Sequence, residues 1–331
     1  MTLNAFVAKN APTACKGLLL SIGMSGAVIF GVAMNAPDLS SFAAFGSMLA
    51  LNITPRHGAI AKIFGAFAGC LFLLLAACLG VFLSKSSFLA LVLLFFFSWL
   101  AALPKKDIMY ISFVVKFAAI AVLLNYFDFS FSLPMGLYFC GGLLLGLFLS
   151  LAATAFETEN EQRPIDQLRK LLHGDINSIG YSLTVPVTVV ISSLIAANFS
   201  YANPAWVGLT VIFVSNSDPH LELKRAFARI TGTIAGTVLS YFILDAIQLP
   251  LRLALIVGVL AFFLPFVSRR YSLFSLLITC IVLILINIAM FAQGGDMDLL
   301  LWRSIDTVFG CGCVMVANIL MRFIQRKSAH E

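Results

Sequence analysis

Long apolar runs, separated by short charged segments, recur along the whole chain and limit it to one class of fold. Hydrophobic residues make up 61% of the 331 residues and charged residues only 11%, whereas soluble domains have roughly 45–50% and about 25%. A helix that crosses a bilayer needs about 20 apolar residues, and most of these runs come close to that length. The sequence does not show the short alternating segments of a membrane β-barrel. It therefore predicts an all-α polytopic membrane protein.

Twelve apolar segments are predicted to be transmembrane helices, six on each side of one polar segment. Residues 157–177 form that polar segment, which is too short for a domain and is interpreted as a cytoplasmic linker. It separates a first repeat of six helices, residues 1–156, from a second repeat, residues 178–331, which ends in a short tail. The predicted spans are 17–34, 41–53, 63–83, 87–103, 108–127, 134–156, 178–198, 204–216, 226–246, 253–268, 271–292 and 299–321.

The positions of Lys and Arg predict the orientation of these spans. Of the 21 such residues, only Lys85 and Arg252 fall in loops on one side, and Lys116 and Arg303 fall within spans. All the others lie on the opposite side, which is the cytoplasmic side by the positive-inside rule. Both termini are therefore predicted to be cytoplasmic. The net charge of +6 is explained by this topology, so no nucleic-acid partner is expected.

A nine-residue motif occurs twice, 167 positions apart: residues 61–69 are AKIFGAFAG and residues 228–236 are ARITGTIAG. Six spans in each half give both halves the same orientation, so the sequence predicts a parallel repeat. Each copy of the motif contains two glycines four residues apart, Gly65 and Gly69 in the first and Gly232 and Gly236 in the second. Each pair forms a bare groove that a second helix can approach closely.

A cation precedes each glycine pair, Lys62 in the first half and Arg229 in the second. Two interpretations are open. Either the cations only mark the cytoplasmic ends of packed helices, or they flank the inner mouth of a transport pathway.

A short span precedes each copy of the motif: residues 41–53 in the first half and 204–216 in the second. Both spans are too short for a full crossing and end in polar residues, including Asn52 and Asn216. Short, interrupted segments at matched positions of two repeats often mark the binding site of a transporter. The alternative is a pair of short helices with ordinary caps. The sequence alone does not decide whether these segments cross fully.

Three charged residues are predicted to lie inside the membrane. Lys116 is in the middle of a span, where a lysine costs about 2.5–3.5 kcal/mol to insert, so it is expected either to pair with an acid or to attract an anionic substrate. Arg303 and Asp306 are three residues apart on one helical face. They form either a structural ion pair or a gate for an anion.

No cofactor, metal site or catalytic motif is predicted. The seven cysteines are scattered through apolar runs without metal-ligand spacing, and the soluble segments are too short for a nucleotide-driven motor. The chain is therefore not expected to be an enzyme.

The stretch 203–241 resembles the signature of the fusaric-acid-resistance family, which includes the aromatic acid exporters. The resemblance lies first in an aromatic-rich span. The next helix begins with basic residues, which are followed by two glycines four residues apart. The last span also has the Arg, Asp-Thr and Gly pattern of the family. It is weaker in the first half, where Lys62 and Ala66 stand in place of Arg and Thr. The matching residues are Trp206, Leu209, Thr210, Val211, Arg229, Gly232, Thr233, Gly236, Arg303, Asp306, Thr307 and Gly310.

This resemblance implies a multi-pass exporter in a bacterial inner membrane, with aromatic carboxylates or related xenobiotics as substrates. The proton gradient is the expected driving force. Besides substrate and lipid, the expected partners are a periplasmic adaptor protein and further copies of the chain. The alternatives are a passive organic-anion channel of the same fold and a non-transporting component of an envelope complex. Larger members of the family carry a cytoplasmic domain for which this chain has only the linker.

Overall fold

The computed structural model describes residues 3–53, 58–83, 87–105, 108–127, 132–153, 163–174, 176–199, 203–290 and 298–328. In these ranges the chain forms thirteen α-helices and one isolated bridge between the backbones of Pro104 and Ile176. The prediction of an all-α protein is therefore confirmed. Residues 157–162 and 175 of the predicted linker lie outside the described residues.

The helices are numbered in chain order. They are α1 Leu3–Ala33, α2 Pro37–Ile53, α3 Ala59–Leu83, α4 Ser87–Ala102, α5 Met109–Phe127, α6 Leu133–Ala152, α7 Pro164–Leu172, α8 Ile179–Ala197, α9 Pro204–Val214, α10 Pro219–Ala246, α11 Pro250–Val267, α12 Tyr271–Ala289 and α13 Asp298–Ser328.

Nine of the described helices are long and apolar enough to cross a membrane. They are α1, α3, α5, α6, α8, α10, α11, α12 and α13, and α4 and α9 contain shorter apolar stretches. All twelve predicted spans correspond to a helix, whereas α7 is an additional short helix in the linker. The chain is thus a multi-pass helical membrane protein, and its orientation remains a prediction.

The described helices belong to two compact units. Unit 1 comprises residues 1–70, 131–166 and 234–300. In it, α1 packs against α2, α6 and α11, while α2 packs against α6 and α12. The buried core lies between α1, α2, α11 and α12, and includes Met24, Val28, Val257 and Ile284. Gly46 and Gly142 allow α2 and α6 to touch, because a Cβ at either position would meet backbone of the other helix.

Unit 2 comprises residues 71–130, 167–233 and 301–331. In it, α4 packs against α5 and α8, and α9 packs against α5 and α8. The closing helix α13 contacts α9 closely, because a Cβ at Gly310 would lie 2.9 Å from both the Thr210 Cβ and the Val207 carbonyl oxygen.

Helix α9 is a half-length helix at the centre of unit 2. It has 11 residues, so it is about 16 Å long and spans only about half of the hydrocarbon core. Most of its residues are fully buried. The helix ends at Val214, and α10 begins at Pro219, which confirms the predicted interruption at 215–218. Its counterpart α2 is longer, at 17 residues.

The last part of the linker is fixed to unit 2 by two amide side chains, of which Gln167 is buried and Asn177 half-buried. Gln167 Oε1 of α7 accepts a hydrogen bond from the backbone N–H of Tyr110, 3.0 Å away at the start of α5. Asn177 donates to the carbonyl oxygens of Ala102 and Pro104, both at 2.9 Å. These contacts hold the linker against the loop between α4 and α5.

Candidate functional site

The start of α9 is the most constrained part of unit 2. Asn203 caps the helix, because its Oδ1 accepts hydrogen bonds from the backbone N–H groups of Ala205 and Trp206 at 2.9 and 3.3 Å. The backbone N–H of Asn203 donates in turn to Oδ1 of Asp306, 3.0 Å away on α13. Asp306 thereby anchors the start of the short helix, and Trp206 lies in its first turn.

Arg303 stacks on that tryptophan. Its guanidinium carbon lies 4.2 Å from the centre of the Trp206 ring, within the distance for a cation–π interaction. The residue is only 5% exposed. Among the described residues, its Nε and Nη1 groups have no hydrogen-bond partner. The site therefore presents two buried N–H donors beside an aromatic face.

Arg229, on α10, is the second cation of this site. It is buried and lies within electrostatic range of both Arg303 and Cys311. Asp306 is also within range of Arg303. We call Trp206, Arg229, Arg303 and Asp306 the Arg303 site. It carries two positive charges and one negative charge, which leaves a net charge suited to one anion.

A second polar cluster lies at the interruption between α9 and α10. Glu222 is largely buried, and its Oε1 accepts a hydrogen bond from the backbone N–H of Asn216 at 3.1 Å. Its Oε2 accepts from Nδ2 of Asn318 on α13. The same Nδ2 donates to the carbonyl oxygen of Pro219 at 3.2 Å. Of these residues, only Asn216 was predicted from the sequence to be a site residue. The sequence feature that could have indicated Glu222 is its position, an acidic residue in the first turn of the helix that follows an interrupted span.

Lys116 lies midway along α5 and is half-buried. It makes no hydrogen bond or ion pair with any residue that the structure describes, and Arg225 of α10 is the nearby charge that acts on it. Of the two sequence hypotheses, an acid partner thus has no support in the described part of the chain. The hypothesis of an anion site remains.

Unit 1 contains two of the predicted site residues, and both bond to the protein's own backbone. Lys62 is completely buried, and its Nζ donates to the carbonyl oxygen of Ser150, 2.8 Å away at the end of α6. Asn52 Nδ2 donates to the carbonyl oxygen of Met48 in its own helix at 2.8 Å. These contacts favour a structural role.

The predicted packing glycines Gly65, Gly69, Gly232 and Gly236 are all buried. At Gly236 the contact is explicit, since a Cβ there would lie 2.6 Å from the carbonyl oxygen of Leu276 on α12. This is the close helix contact expected of a small-residue groove.

The described residues contain no group of three or more side chains that could hold a metal ion. The arrangement instead supplies buried cations, hydrogen-bond donors and one aromatic face. In proteins, groups of this kind bind anions through charge and hydrogen bonds.

The fold defines a multi-pass helical membrane protein in which the second half of the chain supplies most of the buried charged residues. Residues 189–317 match the family model described as Fusaric acid resistance protein-like. Over these residues the match bears out the resemblance that the motifs of α9, α10 and α13 indicate, and it includes all four residues of the Arg303 site. A membrane transporter is consistent with this family. No curated protein and no solved structure matches the chain.

Proposed function

We propose that this protein transports small organic anions across the membrane, and that aromatic carboxylates are its substrates. The observation that carries the proposal is Arg303, a buried guanidinium on an aromatic ring with two donor nitrogens that lack a partner among the described residues. A guanidinium binds a carboxylate through charge-assisted N–H···O bonds. The adjacent Trp206 face adds a preference for a flat ring.

The direction of transport in this proposal is export from the cytoplasm of a bacterium, with the proton gradient as the driving force. The family match supports a membrane transporter, and export follows from the resemblance to the aromatic acid exporters. On the same basis, a periplasmic adaptor protein would receive the substrate, and the chain would assemble with further copies of itself.

A flux assay in proteoliposomes tests the proposal directly. Purified protein is reconstituted, and the flux of radiolabelled benzoate is measured with and without a pH gradient. We expect uphill, uncoupler-sensitive flux that is lost in Arg303→Gln. Arg252→Gln is the matched control, because Arg252 is an exposed arginine at the start of α11. Equal flux in the two variants would contradict the role of Arg303.

The role of the aromatic face is tested with a saturated substrate of the same charge. Benzoate and cyclohexanecarboxylate both carry one carboxylate, but only benzoate is flat and aromatic. We expect the wild-type protein to prefer benzoate and Trp206→Leu to lose that preference while it retains anion transport.

The same measurements separate two alternatives. A passive anion channel of this fold would carry benzoate only down its gradient, whether or not a pH gradient is present. A non-transporting component of an envelope complex would show no flux with any anion.

The internal repeat is part of this proposal. The packed helix pairs of unit 2 match those of unit 1 when the helices are aligned in a particular way. In this alignment, α8, α9 and α13 of unit 2 correspond to α1, α2 and α6 of unit 1. Likewise, α4 and α5 correspond to α11 and α12. The pairs α1–α2, α1–α11, α11–α12 and α2–α12 thus correspond to α8–α9, α4–α8, α4–α5 and α5–α9. We infer a duplication in which each unit takes its fourth and fifth helices from the other half of the chain.

A further inference from the structure

Two cations of unit 2 lie close to the carboxylate of Glu222, and a third lies close to one of them. Arg225, one turn further along α10, and Arg322, on α13, both lie within electrostatic range of Glu222. Lys116 of α5 lies within range of Arg225. Neighbouring charges from three helices thus link Arg322, Glu222, Arg225 and Lys116.

Two of these cations have donor groups without an acceptor. Lys116 bonds to no residue that the structure describes. Nη2 of Arg322 is buried and has no hydrogen-bond partner among the described residues. Like charges in a partly buried site repel each other, and a buried donor such as the Arg322 Nη2 group is costly without an acceptor. An anion bound among them would relieve both costs.

The cluster continues into the Arg303 site. Arg225 and Arg229 are four residues apart on α10, so they lie on the same helical face about 6 Å from each other. Arg229 is in turn within electrostatic range of Arg303. An anion that leaves the neighbourhood of Arg225 therefore meets the next cation after one helical turn.

We propose that Lys116, Arg225 and Arg322, together with Glu222, form a second anion-binding site, which exchanges its ligand with the Arg303 site. We call it the Glu222 site. The inference rests on the proposed function, since it adds a second binding position to the same route. The ligand is a carboxylate or a similar small anion, and no aromatic ring is required, because the proposal depends on positive charge and on the guanidinium donors.

Glu222 is the internal ligand of this site. Its carboxylate neutralises part of the positive charge when no substrate is present, and an entering anion competes with it for Arg225 and Arg322. The hydrogen bonds from Asn216 and Asn318 hold the carboxylate in place. Removal of its charge should leave a site that binds an external anion more tightly.

The stoichiometry of benzoate binding tests the proposal. Calorimetric titration of the full chain in detergent is expected to give two benzoate ions per wild-type molecule. Arg322→Gln and Arg303→Gln are each expected to bind one, because each removes a different site. Lys224→Gln, which removes an exposed lysine next to Arg225 in the sequence, is the matched control and should still bind two.

Glu222→Gln gives an effect of opposite sign. It keeps an amide of nearly the same shape and removes the competing charge. We expect the affinity for one of the two benzoate ions to rise by about tenfold, as when a charged competitor is removed. Unchanged affinity at both sites, or weaker binding, would overturn the assignment of Glu222 as the internal ligand.

The outcomes also separate this inference from the proposed function. If Arg322→Gln loses a benzoate and Arg303→Gln does not, the Glu222 site holds and the Arg303 site fails. If the wild type and Arg322→Gln bind the same number of benzoate ions, the Glu222 site is wrong, whatever Arg303→Gln does.

If Arg322→Gln fails to fold, Arg322→Lys replaces it. This variant keeps the charge but not the planar fork, so it should bind one of the two benzoate ions several-fold more weakly; wild-type affinity would overturn the proposal.

Discussion

At the scale of single residues, the buried cations of this protein are of two kinds. Lys62 is completely buried and reaches a backbone carbonyl at the end of another helix. Nε and Nη1 of Arg303 have no acceptor among the described residues, and the half-buried Lys116 bonds to none of them either. A cation with an internal acceptor is expected to contribute to stability, whereas one without an acceptor favours binding of an anion from outside.

Replacement of Lys116 by Met should leave a folded protein that no longer transports benzoate. A charge without a partner is removed from a partly buried position in the membrane, so the melting temperature should stay the same or rise. Lys116→Arg should transport with reduced efficiency, because the guanidinium is larger and planar. Thermal unfolding and flux are measured on the same preparation. An unstable Met variant would show that Lys116 is half of a buried ion pair, and a stable variant with normal flux would exclude both roles.

Replacement of Lys62 by Met should have the opposite effect. It removes the hydrogen bond from Nζ to the carbonyl oxygen of Ser150, and a bond from a charged donor contributes about 1.5–3 kcal/mol. We expect a lower melting temperature, with benzoate flux per folded molecule unchanged. A normal melting temperature together with lost flux would place Lys62 in the pathway instead.

At the scale of helices, close contacts depend on particular glycines rather than on the glycine pattern in general. A Cβ at Gly236 would lie 2.6 Å from the Leu276 carbonyl oxygen, and one at Gly310 would meet Thr210 and Val207. Gly312, only two residues further along α13, has no described atom within 4 Å of the equivalent position. The two kinds of glycine cannot be told apart in the sequence.

Alanine substitution measures this difference. Gly236→Ala should destabilise the protein by about 1–3 kcal/mol, because a backbone oxygen blocks the new methyl group and the two helices must move apart. Gly312→Ala is the control and should be neutral or slightly stabilising, since alanine favours the helix. The measurement is the melting temperature of both variants in the same detergent. Equal values would show that the contact between α10 and α12 can relax at little cost.

At the scale of the whole molecule, the sequence predicts a topology that chemical labelling can check. Single cysteines are introduced at His173 and Arg252, both exposed, in a background without the native cysteines. The charge distribution places the first in the cytoplasm and the second outside. An impermeant maleimide added to intact cells should therefore label position 252 only. Labelling of position 173 from outside would contradict the twelve-span scheme.

The amino-acid sequence was sufficient to predict the class of fold and the resemblance to a family. Both depend on local properties: apolar length sets a membrane helix, polar and Pro residues end it, and the motifs of α9, α10 and α13 lie within short stretches of chain. Of the twelve predicted spans, nine correspond to described helices that are long and apolar enough to cross a membrane. The interruption after Val214 was predicted correctly for the same reason. Lys116, Arg303 and Asp306 lie in two of those nine helices, and their depth in the membrane stays a prediction.

The tertiary structure alone decided which of those residues share a site. Asp306 bonds to the backbone of Asn203, about 100 positions away in the chain, and Arg303 stacks on Trp206. Glu222 was not predicted to be a site residue, because an acidic residue in the first turn of a helix usually serves only as a cap. Its burial and its bond to Asn318 arise from the packing of α13 against the start of α10. Spacing along one helix shows which side chains share a face, but only the packing of other helices against that face shows which charges have an acceptor.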